Sequence, residues 1–220
     1  MNKIQIAPSL LSSDLARLED DVRACERGGA DVLHVDVMDG HFVPPITFGP
    51  LIVETLKRIT ALPLDCHLMV ENPDEQLEQF AAAGASWISV HAEVCNHLHR
   101  TLARIQELGC KSGIVLNPST PLDFAMEGAV NSDFILLMSV NPGYGGQSFI
   151  PSFLDRCKRL RSWLDANDYE HVNIQVDGGI KADNARDAVK AGASILVSGS
   201  GIMKGDIESN IKAMRAAASG

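Results

Sequence analysis

Between Asp31 and Pro44 the chain reads D-V-L-H-V-D-V-M-D-G-H-F-V-P, and His34, Asp36 and Met38 interrupt an apolar, β-branched run at every second position. On a pleated strand that spacing puts all three side chains on one face. An imidazole and a carboxylate turned into an apolar layer are costly unless they pair or bind a cation, and nitrogen and oxygen ligands two residues apart suit a divalent transition metal. A buried His-Asp pair with a structural role meets the same pattern, so this stretch alone leaves both open. The period of two returns in L-D-C-H-L-M-V, where His67 and Met69 share a face with Asp65 while Cys66 and Leu68 turn the other way. Asp177, in V-D-G-G-I, offers a second carboxylate.

The elements that must position these residues alternate regularly. β-rich runs end near Ser9, Met38, Met69, His91, Asn117, Met138, Asp177 and Ser198. Helical stretches lie between them over Asp14 to Arg27, Pro50 to Thr60, Pro73 to Ala83, Asn96 to Leu108, Ser152 to Asn167 and Ala182 to Lys190, with a weaker helix after Pro121 and an amphipathic helix at the end. Eight strand-helix units without a long linker predict parallel strands closed into a single-domain (β/α)8 TIM barrel over residues 1–220, within the usual range of roughly 200 to 250 residues. A doubly wound open sheet lacks support, because no G-x-G-x-x-G follows the first strand. Three helices stop alike, at Gly28-Gly29-Ala30, Gly84-Ala85 and Gly192-Ala193, each followed at once by a strand, so these corners mark the amino-terminal strand ends. The active site belongs at the opposite ends. Ser9, His34, Asp36, Met38, His67, Met69, Met138 and Asp177 all fall there. His34, Asp36, His67 and Asp177 then converge as two imidazoles and two carboxylates from three strands, a set for one divalent metal ion such as Zn2+, Fe2+, Mn2+ or Co2+.

The last strands carry a second signal. Gly178 and Gly179, and then Gly199, Ser200 and Gly201, follow strands seven and eight where a barrel of this class commonly binds phosphate through backbone N–H groups and a short helix start. The loop after strand six, N-P-G-Y-G-G-Q-S-F-I-P, adds Gly143, Gly145 and Gly146 and has the length and freedom of a lid. Neither the strand-seven nor the strand-eight turn holds Lys or Arg, so backbone dipoles would carry the anion.

Composition bounds the rest. With 45% hydrophobic residues the chain can bury a substantial core. No run of eighteen apolar residues predicts a membrane span, and the amino terminus lacks the build of a signal peptide, which together predict a cytoplasmic protein. Cys25, Cys66, Cys95, Cys110 and Cys157 are odd in number and contain no C-x-x-C, which predicts reduced packing residues. Acidic residues outnumber basic ones 28 to 19, giving net charge −9 and no basic patch for nucleic acid.

Six motifs, A-P-S-L-L-S-S-D, H-V-D-V-M-D-G-H-F-V-P, D-C-H-L-M-V, M-S-V-N-P-G-Y-G-G-Q-S-F-I, V-D-G-G-I and V-S-G-S, closely resemble, in the same order, those of the ribulose-phosphate 3-epimerase family. The resemblance implies a (β/α)8 barrel isomerase that interconverts D-ribulose 5-phosphate and D-xylulose 5-phosphate, in the pentose phosphate and Calvin pathways, as a homo-oligomer. It implies one metal on His34, Asp36, His67 and Asp177, with Asp36 and Asp177 as the acid-base pair. It further implies substrate contacts from Ser9 and His67, a surround of Gly143, Tyr144, Gly145, Gly146, Gly178, Gly179, Gly199 and Ser200, and Met38, Met69 and Met138 lining the reacting carbons. A proton removed from one face of C3 and returned to the other, through a cis-enediolate, needs two acids on opposite sides. Gln175 stands where the family commonly has Glu, Pro45 where it usually has Asn, and Ser198 where it often has Ala; none of these removes a ligand.

Three other readings compete. An epimerase of a six-carbon analogue such as allulose 6-phosphate shares the chemistry. A decarboxylase or aldolase of the related phosphate-binding type needs a catalytic Lys in D-x-K-x-x-D, whereas the chain reads D-V-M-D. A non-catalytic sugar-phosphate sensor would have no use for two acids beside the ligands. Among lesser residues, His91 and Glu93 read as a satisfied polar pair within reach of the site, His97 and His99 as solvated, and His41 as loop packing. Asp65, on the parity of His67, reads equally as a residue behind the ligands or as a polar contact at the barrel bottom.

Overall fold

Residues that alternate between an inner polar face and an outer apolar one need cover on both sides, and a sheet closed on itself inside a ring of helices provides it. In the computed structural model, which describes residues 3–220, the strands are β1 (Gln5–Pro8), β2 (Leu33–Met38), β3 (Leu64–Met69), β4 (Trp87–His91), β5 (Lys111–Leu116), β6 (Phe134–Met138), β7 (Asn173–Asp177) and β8 (Ile195–Ser198). They are parallel and hydrogen-bonded in the order β1-β8-β7-β6-β5-β4-β3-β2. A bridge between Ser9 and His34, with a hydrogen bond of 3.0 Å from Asp31 N to the Ile6 carbonyl, brings β1 to β2 and closes the barrel of this single domain.

The outer layer is apolar. Leu33 and Val35, Leu64, Cys66 and Leu68, Ile88, Ile114, Ile135, Ile174 and Leu196 meet the helices α1 (Leu18–Gly28), α2 (Pro50–Ile59), α3 (Leu77–Ala83), α4 (Leu98–Glu107), α5 (Asp123–Gly128), α6 (Phe153–Ala166), α7 (Ala182–Lys190), α8 (Ser200–Met203) and α9 (Ile207–Ser219). All five cysteines are free thiols, and no helix among the described residues is long and apolar enough to cross a membrane. Gly29 (φ 86°), Gly84 (φ 106°) and Gly192 (φ 113°) take the left-handed conformation at the predicted corners.

Two helix starts differ from expectation. Asp14 accepts from Ala16 N at 3.0 Å and so caps a 3-10 turn over Leu15–Arg17, and α1 begins only at Leu18, after Arg17 leaves helical geometry at φ −132°. Pro73 likewise opens a 3-10 turn, Pro73–Glu75, and α3 begins at Leu77. In both cases a good starting residue precedes a single tight turn that a helical period alone does not separate from an α-helix.

Inside the barrel the layers differ sharply. The bottom is an apolar floor of Val32, Trp87, Phe134 and Ile195, with Ala7 of β1 and Val197 of β8 rising from it and the Trp87 and Phe134 rings 5.4 Å apart. Above it lie the polar side chains of His34, Asp65, Ser89 and Gln175, all fully buried. Met38, Met69 and Val43 form one apolar cluster above them, and Met138 joins a second with Val115, Leu136 and Val140.

Closure at the amino-terminal rim depends on Asp31, whose Oδ2 accepts from Ile6 N (2.9 Å) and from Arg215 of α9 (2.5 Å). Burial works against its charge, but Arg215 and the Ile6 N–H outweigh burial and hold the carboxyl below its ordinary value. A depressed folded-state value stabilises above the unfolded value, about 4, and that contribution is lost as pH falls through the folded one. Asp31→Asn is therefore expected to cost roughly 1–3 kcal/mol at neutral pH. In denaturant unfolding the difference from wild type should narrow as the pH falls below about 4; a deficit that stays constant into acid would exclude this role.

Candidate metal centre and substrate pocket

Register turns the sequence spacing into a cluster. Asp36 on β2 pairs with His67 on β3, His34 with Asp65, Met38 with Met69, and Met138 on β6 with Asp177 on β7. One ligand atom each from His34, Asp36, His67 and Asp177 lies within 4.8 Å of the others. His34 Nε2 is 3.3 Å from Asp36 Oδ1 and 3.9 Å from Asp177 Oδ2, and His67 Nδ1 is 3.4 and 3.8 Å from the same two oxygens. Neither nitrogen is aligned with an oxygen well enough for a hydrogen bond, and both are buried without a partner. Such orphans cost about 1–3 kcal/mol each, and two of them facing two carboxylates form a set that could hold a cation.

The electrostatics agree. Burial disfavours a charged His34, yet the carboxylates of Asp36 and Asp65 on either side overcome it and raise its proton affinity well above the ordinary value. Asp36 is also penalised by burial, but His34 and His67 pull its value far down. Asp177 goes the other way: burial first, then the charge of Asp36, push it up to about 6. Asp36 is thus the weaker base of the pair and Asp177 the stronger.

The surroundings fix the ligands. Ser9 Oγ donates to Asp36 Oδ2 at 2.6 Å, and Asp65 Oδ2 accepts from His34 Nδ1 (2.7 Å) and from Gln175 Nε2 (2.7 Å). This places Asp65 beneath His34 and explains an amide at position 175. A second carboxyl at that distance from Asp65 would have to share a proton with it.

Ser9, Asp36, Met38, Met69, Met138, Gly143, Tyr144, Gly145, Gly146, Asp177, Gly178, Gly179, Gly199 and Ser200 line one pocket above the cluster. His34 and His67 lie below it with no exposed surface, so His67 can meet a substrate only through an ion that both share. Gly201 is not on the wall; it sits against the Ile180 carbonyl and Ser198 Oγ, and that hydroxyl donates to the same carbonyl at 2.6 Å. Leu11, Ser12, Val140, Pro142, Gln147, Ile180 and Val197 also line the pocket and were not legible in advance. The strand-six loop lies over it, held to itself by Gln147 Nε2 donating to the carbonyls of Asn141 (2.7 Å) and Tyr144 (2.8 Å). Gly179, at φ 66°, faces the backbone of Gln147 and Phe149 so closely that any Cβ would push the loop away.

His41 folds into its own loop, with its N–H and that of Phe42 donating to Asp39 Oδ1, and His97 and His99 are exposed. His91 and Glu93 are bonded to each other at 3.2 Å, as expected of a polar pair, but His91 Nε2 also lies 2.9 Å from His67 Nε2. Burial lowers His91 to about 4, so its ring is neutral at ordinary pH.

Several known proteins are similar to this chain in fold or in sequence. Solved structures of similar fold include a mutant tryptophan synthase alpha-subunit from Pyrococcus furiosus, 18% identical with a TM-score of 0.72 over 98% of this chain and 100% of that one. Thiamine phosphate pyrophosphorylase from the same organism is 17% identical with a TM-score of 0.68 over 99% and 96%. At those identities they speak for the barrel alone. Sequence relatives speak for more: the ribulose-phosphate 3-epimerase of Bacillus subtilis is 50% identical, covering 90% of this chain and 92% of its own. That of Escherichia coli K12 is 48% identical over 92% and 90%. Residues 5–203 match the model of the ribulose-phosphate 3 epimerase family, and with these relatives that match establishes that the chain belongs to this family and is an isomerase.

Proposed function

We propose that the protein inverts carbon 3 of D-ribulose 5-phosphate to give D-xylulose 5-phosphate, using Asp36 and Asp177 as its two acid-base groups and one divalent metal held by His34, Asp36, His67 and Asp177. The observation that carries this reading is the meeting of two carboxylates with two unpartnered imidazole nitrogens under a glycine-walled pocket. The relatives' names bring the substrate.

Inversion needs a proton taken from one face and another given to the opposite face, because one base returning its own proton restores the starting sugar. Asp36 on β2 and Asp177 on β7 stand three strands apart around the barrel, so a planar cis-enediolate lying across the axis meets one acid on each face. Their proton affinities are pushed in opposite directions, which makes Asp177 the more readily protonated of the two. Ser9 holds Asp36 in place. Met38, Met69 and Met138 give a dry, uncharged wall that does not compete with oxygen for a cation. A bound divalent metal supplies Lewis-acid stabilisation of negative charge on oxygen.

The phosphate is assigned to Gly178, Gly179, Gly199 and Ser200, under the loop of Gly143, Tyr144, Gly145 and Gly146. The structure separates the glycines as tests: a side chain at Gly179 would distort the loop itself, whereas one at Gly199 meets the side chains of Ser12 and Ser9 at the pocket wall. Gly199→Val is accordingly expected to raise KM for ribulose 5-phosphate with a smaller change in kcat, and equal turnover of ribulose and ribulose 5-phosphate by the wild type would count against the phosphate site. The reaction is tested by incubating metal-replete protein with D-ribulose 5-phosphate in D2O. Xylulose 5-phosphate deuterated at C3 is expected, and no exchange at C3 would overturn the proposal. Free thiols support a reducing, cytoplasmic compartment. The family membership carries the further proposal of a homo-oligomer.

A further inference from the structure

The His91 ring fills the space between a proposed metal ligand and an acid outside the cluster. It stacks on His67, with ring centroids 5.1 Å apart, and packs against Phe42 at 4.5 Å. Its Nε2 is 2.9 Å from His67 Nε2, and its Nδ1 is 3.2 Å from Glu93 Oε2. A His67 that offers a lone pair to a cation is neutral, and two neutral imidazoles in contact through one nitrogen each share one hydrogen there, so one donates and the other accepts. The choice is made at the far end. Glu93 Oε1 accepts from Asn117 N at 2.8 Å and from the Thr120 hydroxyl, which fixes the carboxylate against the β5–α5 connection. Oε2 carries no hydrogen and can only accept, so His91 donates from Nδ1 and keeps its lone pair on Nε2. His67 must then donate from Nε2. Its own lone pair is left on Nδ1, the orphaned nitrogen that faces Asp36 and Asp177.

We propose that Glu93 and His91 are positioning residues that hold His67 in the one tautomer able to offer Nδ1 to a metal. The proposal rests on the metal reading above and extends it to residues that touch neither ion nor substrate. Partners of this kind typically change metal affinity about 10- to 100-fold.

Glu93→Gln and Glu93→Ala separate tautomer control from structural support. Glutamine keeps the shape, and because its oxygen must accept from Asn117 N and Thr120, its amide NH2 turns to His91 Nδ1. His91 is then forced to accept there and donate from Nε2, which moves the His67 hydrogen to Nδ1, where it blocks the metal. Alanine removes both loop bonds but leaves His91 free to choose its tautomer. The expected result in metal-stripped protein titrated with Zn2+ against a competing chelator is a Kd weakened about 10- to 100-fold by Glu93→Gln and less by Glu93→Ala. The Tm should fall further in Glu93→Ala, the reverse order. Ring-nitrogen NMR of zinc-loaded wild type is expected to show hydrogen on His67 Nε2 and His91 Nδ1. A Kd weakened as much or more by alanine, two variants at the wild-type Kd, or hydrogen on His67 Nδ1 would each overturn the proposal. Wild type that takes up no zinc would overturn the metal reading itself, and does so before any substitution is compared.

Discussion

Asp177→Asn and Asp36→Asn should each reduce epimerisation about 10²-fold or more, the lower end of what a positioned acid-base group supplies. The two losses should differ in kind. In a two-base reaction each acid serves one direction, so removing one leaves the other able to exchange the C3 proton of the opposite epimer with D2O without inversion. The epimer that still exchanges is therefore expected to switch between the variants. Both carboxylates also face the unpartnered His34 and His67 nitrogens, so metal content has to be measured on each variant before its rate is read. A metal-replete Asp177→Asn protein running at the wild-type rate would refute the two-base assignment. Glu93 is too far committed to His91, Asn117 and Thr120 to be the substitute.

His67→Ala is expected to lose metal and activity together while the barrel stays folded. The side chain is fully buried and its Nδ1 has no protein partner, so an ion is the interaction that its removal destroys at the cluster. On the other side the change strands His91 Nε2, at roughly 1–3 kcal/mol for an unsatisfied buried group. Added zinc should raise the Tm of stripped wild type, because a ligand that binds only the folded state stabilises it, and should do so far less for His67→Ala. Full activity in wild-type protein shown to be metal-free would sink the metal assignment.

What the sequence made legible followed from local geometry. The period of two needs no tertiary knowledge, and it placed His34, Asp36 and Met38 on one face and His67 and Met69 on another, both turned inward. The glycine corners fixed which strand ends face the site. The parts that stayed hidden depend on which strand lies beside which. Asp65 lies behind the ligands and bonds His34, because parallel pairing sets it opposite His34. Gln175 reaches it from β7, 110 residues away in sequence. His91 looked self-sufficient beside Glu93, and only the packing of β4 against β3 shows its second nitrogen against His67. Ser12 leaves no signal in its own stretch; it matters because a 3-10 turn, Leu10–Ser12, folds it over the pocket toward Gly145 and Gly199.

The floor of Trp87 and Phe134 makes the barrel a tube with one open end. His34 and His67 sit beneath the pocket wall, so if they hold the proposed ion and the pocket holds the proposed sugar phosphate, traffic through that single mouth would have a fixed order: the ion would pass the sugar's berth on the way in and again on the way out. An occupied pocket is then a cork. On that proposal, sugar phosphate that arrives before the ion would shut it out and sugar phosphate that arrives after would trap it, so scarcity of metal and abundance of substrate would act as a matter of sequence in time as well as affinity.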